Sequence, residues 1–255
     1  MEFRTVKAEE IDVRVASIDK SWCTLLLYKD ARVDQNILDE TVGQLNWQRH
    51  HSRENANCIV SIWDEDKKQW VEKEDTGVES FSQAEKGLAS DSFKRACFNW
   101  GIGRELYTAP SIFVLPRKDM GKLRKPDEEP NEFFLGTNGK YTTKTKFYVD
   151  YIDYDENRNI KDLIIRDHKG NMRFSQLTEE TEKERNKKIE TFKNLIEKNE
   201  DKDDNFERKE LYNYFKVDSD SQLNEKQLTL AITLLEKRLK KWHQNTKYKN
   251  YTIGV

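Results

Sequence analysis

Three extended segments, residues 46–52, 57–63 and 69–74, follow one another with only short polar tips between them, and this spacing restricts the fold more than anything else in the chain. Asp64, Glu65, Asp66, Lys67 and Lys68 form a hairpin loop between the second and third segments, which predicts an antiparallel meander of three or four strands. Ahead of it, residues 22–28 are a compact apolar run with strand character. Val33, Ile37, Leu38 and Val42 then recur at helical spacing. Directly after the meander comes a helix that opens at Ser80 or Ser82, the latter paired with Glu85 as a capping box. Leu88, Ala89, Phe93, Ala96, Cys97 and Trp100 give that helix one apolar face, and Gly101 or Gly103 ends it. The expected fold class is α+β: an antiparallel meander packed on a long helix, with a small helical C-terminal module.

All four prolines, Pro110, Pro116, Pro126 and Pro130, fall in one short interval with a run of lysines and arginines, which reads as an irregular connection. Residues 143–154 and 160–174 alternate around turn candidates Asp155, Glu156, Asn157 and His168, Lys169, Gly170, and predict two further hairpins. From residue 178 the composition turns to Glu, Lys, Asp and Asn, so a charged helix is expected to run into a flexible acidic linker around 200–205. Leu211, Tyr214, Phe215 and Val217, then Leu228, Ile232, Leu235 and Leu239, suffice for a small helical unit. The expected division is residues 1–178 as the main domain, 179–205 as charged helix and linker, and 206–255 as the C-terminal module.

Charged residues (36%) slightly outnumber hydrophobic ones (35%), so the core must be small and rich in the six Trp, ten Tyr and twelve Phe. A formal net charge of −2 means that any case for nucleic-acid binding rests on where the cations sit. Cys23, Cys58 and Cys97 are odd in number and form no C-x-x-C pair, which fits small buried hydrophobes in a reducing cytoplasm. A charged N-terminal stretch, and no apolar run near the ~18 residues a membrane span needs, predict an untargeted chain without a membrane partner.

On the helix after the meander, Lys86, Ser90 and Lys94 are spaced by four, with Arg95 adjacent, and line the side opposite the apolar face. Such a stripe tracks phosphates, whose neutralisation releases counterions and supplies sequence-independent affinity. The plainer alternative is that Lys94 and Arg95 are solvated or paired, Arg95 with Asp91 four residues earlier. Trp47, Trp63 and Trp70 interleave with Arg49, His50, His51, Arg53, Lys67 and Lys68, an arrangement that either stacks bases or belongs to the core. Of these, Lys67 and Lys68 are the better binding candidates, because a loop tip stays exposed.

Residues 76–107, TGVESFSQAEKGLASDSFKRACFNWGIGRELY, resemble the helix-centred signature of the Rad-fifty-two superfamily of single-strand annealing proteins, the GIGRELY ending being especially like its phage and bacterial members. Upstream, Ala31, Arg32 and Val33, followed by a helix and the pair Asn46, Trp47, match a second part of that pattern, so the resemblance covers roughly residues 20–108. It implies ATP-independent single-stranded DNA binding and annealing in recombination and repair, by a ring or helical filament of identical subunits. It further implies that Arg32, Lys94 and Arg95 line an inner DNA groove, with Lys86 on the same helix. Gln83 and Glu85 stand where eukaryotic members often carry basic residues, which implies a less positive groove.

No G-x-x-x-x-G-K-[ST] loop is present, Gly136 to Lys140 having the wrong spacing, so no nucleotide cofactor and no enzymatic step are expected. His50, His51 and Cys58 do not have metal-site spacing, since adjacent strand residues face opposite ways. Asp75, Glu79, Asp91 and Glu105 invite a nuclease reading without assembling into a recognisable metal site. Near the C-terminus, Lys237, Arg238, Lys240, Lys241, Lys247 and Lys249 form a basic cluster with Trp242 and Tyr248. Three readings stay open for it: a basic helix end, a second DNA contact, or a dock for the acidic tail of a host single-stranded DNA-binding protein, with Lys237, Lys240 and Lys241 as contacts.

Overall fold

The computed structural model describes residues 1–78, 84–117, 132–202 and 206–251, the side chains of 84–86 and 243–251 excepted. The fold is α+β, with antiparallel sheets and a helical C-terminal part. It divides into two compact units, one formed by Met1–Phe113 with Tyr154–Ile160, the other by Val114–Asp153 with Lys161–Val255.

The first unit begins with a strand absent from the sequence-based expectation, β1 (Ile11–Ile18), paired antiparallel with β2 (Cys23–Lys29) from Ile11↔Lys29 to Ile18↔Cys23. In β2, Cys23, Leu25 and Leu27 point into the core while Leu26 and Tyr28 face outward. Helix α1 (Ala31–Val42) starts where the Asp30 carboxylate accepts the Arg32 backbone N–H at 2.8 Å, and it buries Val33, Ile37 and Leu38. The meander is β3 (Trp47–Ser52), β4 (Asn57–Asp64) and β5 (Gln69–Thr76), in that order across the sheet. Trp63 lies opposite Trp70 next to the hairpin tip that the polar loop predicts.

Helix α2 (Ala84–Asn99) lies on this sheet with Phe93, Ala96 and Cys97 fully buried. The backbones meet closely at Gly77, where a Cβ would stand 2.6 Å from the Ser92 amide nitrogen. The Ser92 hydroxyl at mid-helix donates to the Asn55 carbonyl in the β3–β4 turn at 3.0 Å, and the Trp100 indole N–H just past the helix end donates to the Val60 carbonyl of β4 at 3.0 Å. The expected capping box of Ser82 with Glu85 lies outside the described residues. After α2 the chain makes a tight turn over Arg104–Thr108 and enters β6 (Ile112–Val114).

In the second unit, β7 (Phe133–Leu135) pairs with β8 (Tyr141–Thr143), and β9 (Phe147–Tyr154), β10 (Ile160–Asp167) and β11 (Met172–Gln176) lie side by side. Leu163, Ile164 and Ile165 of β10 are fully buried. Where a flexible linker is expected, α3 (Glu179–Lys202) continues as helix to Lys202. Its Phe192 and Ile196 join a core with Leu211 and Phe215 of α4 (Arg208–Phe215) and Leu228 and Leu235 of α5 (Glu225–Tyr251). Each such side chain contributes roughly 1.5–3 kcal/mol by leaving water, enough to hold a helix rich in charged positions. Helix α3 therefore shares one core with α4 and α5. Among the described residues, no helix is long and apolar enough to cross a membrane.

Candidate nucleic-acid interface

One flank of α2 is shared by two clefts. The smaller, about 510 Å³, is lined by Asp30, Arg32 and Gln35 at the start of α1, by Arg49 and His51 of β3, and by Ala89 and Ser90 of α2. The larger, about 650 Å³, lies between the outward face of β2 and the next turns of α2, with Tyr28 and Arg14 on one side and Lys94, Arg95 and Phe98 on the other. Tyr107 belongs to the lining of the larger cleft as well. Positions 90, 94 and 98 succeed one another at one-turn spacing, so the helix carries the lining from one cleft into the next.

The cations along this flank are loosely held. Arg32 keeps 82% of its side chain exposed while its Nε donates to Asp30 at 2.8 Å, and the same contact holds the Asp30 carboxyl below its usual range. Arg95 pairs at 3.8 Å with Asp75 rather than with Asp91, and 46% of its side chain stays exposed. Asp91 accepts the Val78 backbone N–H at 2.9 Å instead. Lys94 is half-buried in the cleft wall and has no ion-pair partner among the described residues. Arg49 lies exposed, with its guanidinium 4.8 Å from the Phe93 ring centre.

Lys29, which lines the larger cleft, forms a buried ion pair with Asp34. Burial pushes the Asp34 carboxyl up to about 6 against the opposing pull of Lys29, and its Oδ2 has no hydrogen-bond partner. The Lys29 stem runs across bare backbone at Gly103, whose φ is +76° and where a Cβ would lie 2.1 Å from Lys29 Cε. His51 is held below its ordinary value chiefly by burial and then by Arg49, so it is neutral at physiological pH and adds no charge to the cleft.

Of the residues singled out from sequence, Arg32 and Arg49 meet around the smaller cleft, and Lys94 and Arg95 around the larger. The Lys86 side chain lies outside the described residues. Lys67 and Lys68 are exposed as expected, but they bond Asp64 and Glu65 of their own hairpin tip, at the opposite end of β4 and β5 from the Cys58↔Asp75 rung beside α2. Trp47 is structural: its indole N–H donates to Asp39 at 2.6 Å and its ring stacks on Phe93. Trp63 and Trp70 pack edge to face on each other. Lys237, Lys240 and Lys241 are exposed on α5, whereas the side chains of Lys247 and Lys249 lie outside the described residues.

Of the carboxylates that suggest a nuclease, Asp75 and Asp91 line the larger cleft, and each described one already has partners. Asp75 holds Arg95 and the Asn99 amide, Asp91 holds Val78, and buried Glu105 accepts the Val6 N–H at 2.8 Å and Arg158 at 3.0 Å. Glu79 lies outside the described residues. Among the described residues, no group of three or more His, Cys, Asp or Glu gathers as a metal site.

Sequence reading misses the second wall of the larger cleft. Arg14 and Tyr28 come from the paired strands β1 and β2 and Tyr107 from the turn after α2, and the local signal for the first is the alternation of Ile11, Val13 and Val15 around exposed Asp12 and Arg14. No family model matches the chain, and no curated protein and no solved structure matches it either.

Proposed function

We propose that this chain binds single-stranded DNA and anneals complementary strands without ATP, as a homo-oligomeric ring or filament of the Rad-fifty-two type, serving recombination and repair in the cytoplasm of a bacterial host. The observation that carries the reading is the line of loosely held cations, Arg32, Arg49, Lys94 and Arg95, on two clefts sharing one flank of α2 in a protein whose net charge is −2. Positive charge held at a groove binds a sugar-phosphate backbone irrespective of sequence, through counterion release. A backbone gripped in this way leaves base edges free to test register, and pairing itself supplies the free energy, so no catalytic group is required. A groove one subunit wide covers few nucleotides, and repetition around an oligomer supplies avidity.

The test is annealing of two complementary oligonucleotides followed by fluorescence, with protein, without ATP, and with strand lengths checked afterwards. Acceleration with intact strands is the expected result. Binding without acceleration would reduce the protein to a coating factor, and shortened strands would make it a nuclease. For the C-terminal module, exposed Lys237, Lys240 and Lys241 favour a dock for an acidic tail of a host single-stranded DNA-binding protein. Reversing these three charges to Glu suits this question better than truncation, because α4 and α5 cover Phe192 and Ile196 of α3.

A further inference from the structure

The geometry points to Tyr107 as a nucleobase-stacking residue of the larger cleft, an inference that rests on the single-strand reading above and adds where a base is received. Tyr107 is 77% exposed, although large aromatic rings normally withdraw from water. Its backbone is nevertheless fixed on both sides. Leu106 before it is buried, and the Thr108 hydroxyl after it donates to the Glu105 carbonyl at 2.7 Å while accepting the Ile160 N–H at 2.8 Å.

The ring itself is buttressed by Phe98. It meets Phe98 edge to face, with centres 4.9 Å apart and planes at 66°. Phe98 in turn lies under the Arg104 guanidinium at 5.3 Å, and Arg104 is anchored to the carbonyls of Phe98 and Asn99 at 2.7 and 2.9 Å. The other tyrosine of the cleft, Tyr28, is already covered by Arg14 at 5.5 Å, so Tyr107 is the ring that offers open surface. Phe98 sits one helical turn beyond Lys94 and close to Arg95, which places phosphate-binding charge beside an open aromatic plate.

A flat apolar plate next to loosely held cations fits an occupant that is both aromatic and anionic, and a nucleotide within a single strand has that chemistry irrespective of base identity. Stacking on Tyr107 turns one base out of the strand's own stack, and an unstacked base is the one ready to be tested by an incoming complementary strand.

The experiment compares binding of the full chain and of Tyr107→Ala and Tyr107→Phe to an intact oligonucleotide and to one of equal length with scattered abasic sites, over a salt series. The parent protein is expected to bind the abasic strand roughly tenfold more weakly, the scale of one lost base–aromatic contact. Tyr107→Ala should bind the intact strand weaker by the same factor, show no further loss on the abasic strand and keep the parent's salt slope, because no phosphate contact is removed. Tyr107→Phe should behave as the parent does. A 2-aminopurine in the oligonucleotide should lose its position-dependent quenching in Tyr107→Ala alone. Equal binding of both strands by the parent, or undiminished discrimination by Tyr107→Ala, would overturn the stacking role while leaving strand binding standing. No binding of either strand by the parent would overturn the single-strand reading itself, and the stacking role with it.

Discussion

In the second unit Arg166 is 0% exposed and Arg173 only 3%, and each is locked into carboxylates and carbonyls. Arg166 donates to Asp150 at 2.7 Å, to the Gly170 carbonyl at 2.7 Å and to the Ser221 carbonyl at 2.8 Å. Arg173 bonds Glu132, Asp167 and the Leu115 carbonyl. In the first unit the cations along α2 are held by a single carboxylate, by a ring, or by nothing among the described residues. A planar five-donor fork can satisfy several buried acceptors at once, so the second unit uses arginine as a structural joint. Along α2 the first unit leaves Arg32, Arg49 and Arg95 with bonding capacity facing solvent. Total charge would never have separated the two.

The largest expected effect comes from breaking the joint. Arg166→Met strands the Asp150 carboxylate without its cation and should lower stability by about 3–5 kcal/mol, read as a shift in urea midpoint. At a temperature where the variant remains folded, its affinity for single-stranded DNA should match the parent's, and a parallel loss of affinity would erase the contrast between the units.

A smaller effect lies beside the groove. Asp34 holds its proton up to about pH 6 when folded and gives it up near 3.8 when unfolded, so the folded state binds more protons across that window. The stability this confers is fully present below the unfolded value and is lost as pH rises through about 6, a fall of about 3 kcal/mol at 1.36 kcal/mol per unit. In Asp34→Asn that fall between pH 4 and 6 should vanish. An unchanged pH profile would mean that Asp34 is not the group responsible.

The smallest change in stability should accompany the largest change in binding. Lys94→Ala with Arg95→Ala should move stability by no more than about 0.5 kcal/mol. Its salt dependence of single-strand affinity should flatten by about 1.4, at roughly 0.7 per phosphate contact on a single strand. Lys67→Ala with Lys68→Ala, whose cations are paired at an exposed hairpin tip, should leave both quantities where they were. A flattened slope in the hairpin pair and not in the helix pair would move the groove to the other end of the sheet.

Where local pattern decided structure, the sequence was readable. Apolar spacing of Phe93, Ala96 and Cys97 marked the buried face of α2, and the polar run 64–68 marked the hairpin tip. Strand β1 escaped because Asp12 and Arg14 alternate with half-buried Val13 and Val15, which reads as a polar lead-in until β2 is known to pair with it. Helix α3 reads as unattached because its few apolar residues, Phe192 and Ile196 with Ile189 and Leu195 beside them, find their partners only beyond a connection. The site was legible in the same measure. The helical stripe could be read from spacing, whereas Arg14, Tyr28 and Tyr107 converge only through tertiary packing, and the Lys29–Asp34 pair gives no sign in sequence that it is buried.

Gly103 contributes no charge, donor or ring, yet it arbitrates between the two conditions open to Lys29. With hydrogen at that position the lysine stem lies flat and its ammonium pairs with Asp34; with a methyl group the stem must shift, and the pairing with Asp34 is disturbed with it. A buried ion pair beside the cleft thus depends on a residue that has no side chain of its own.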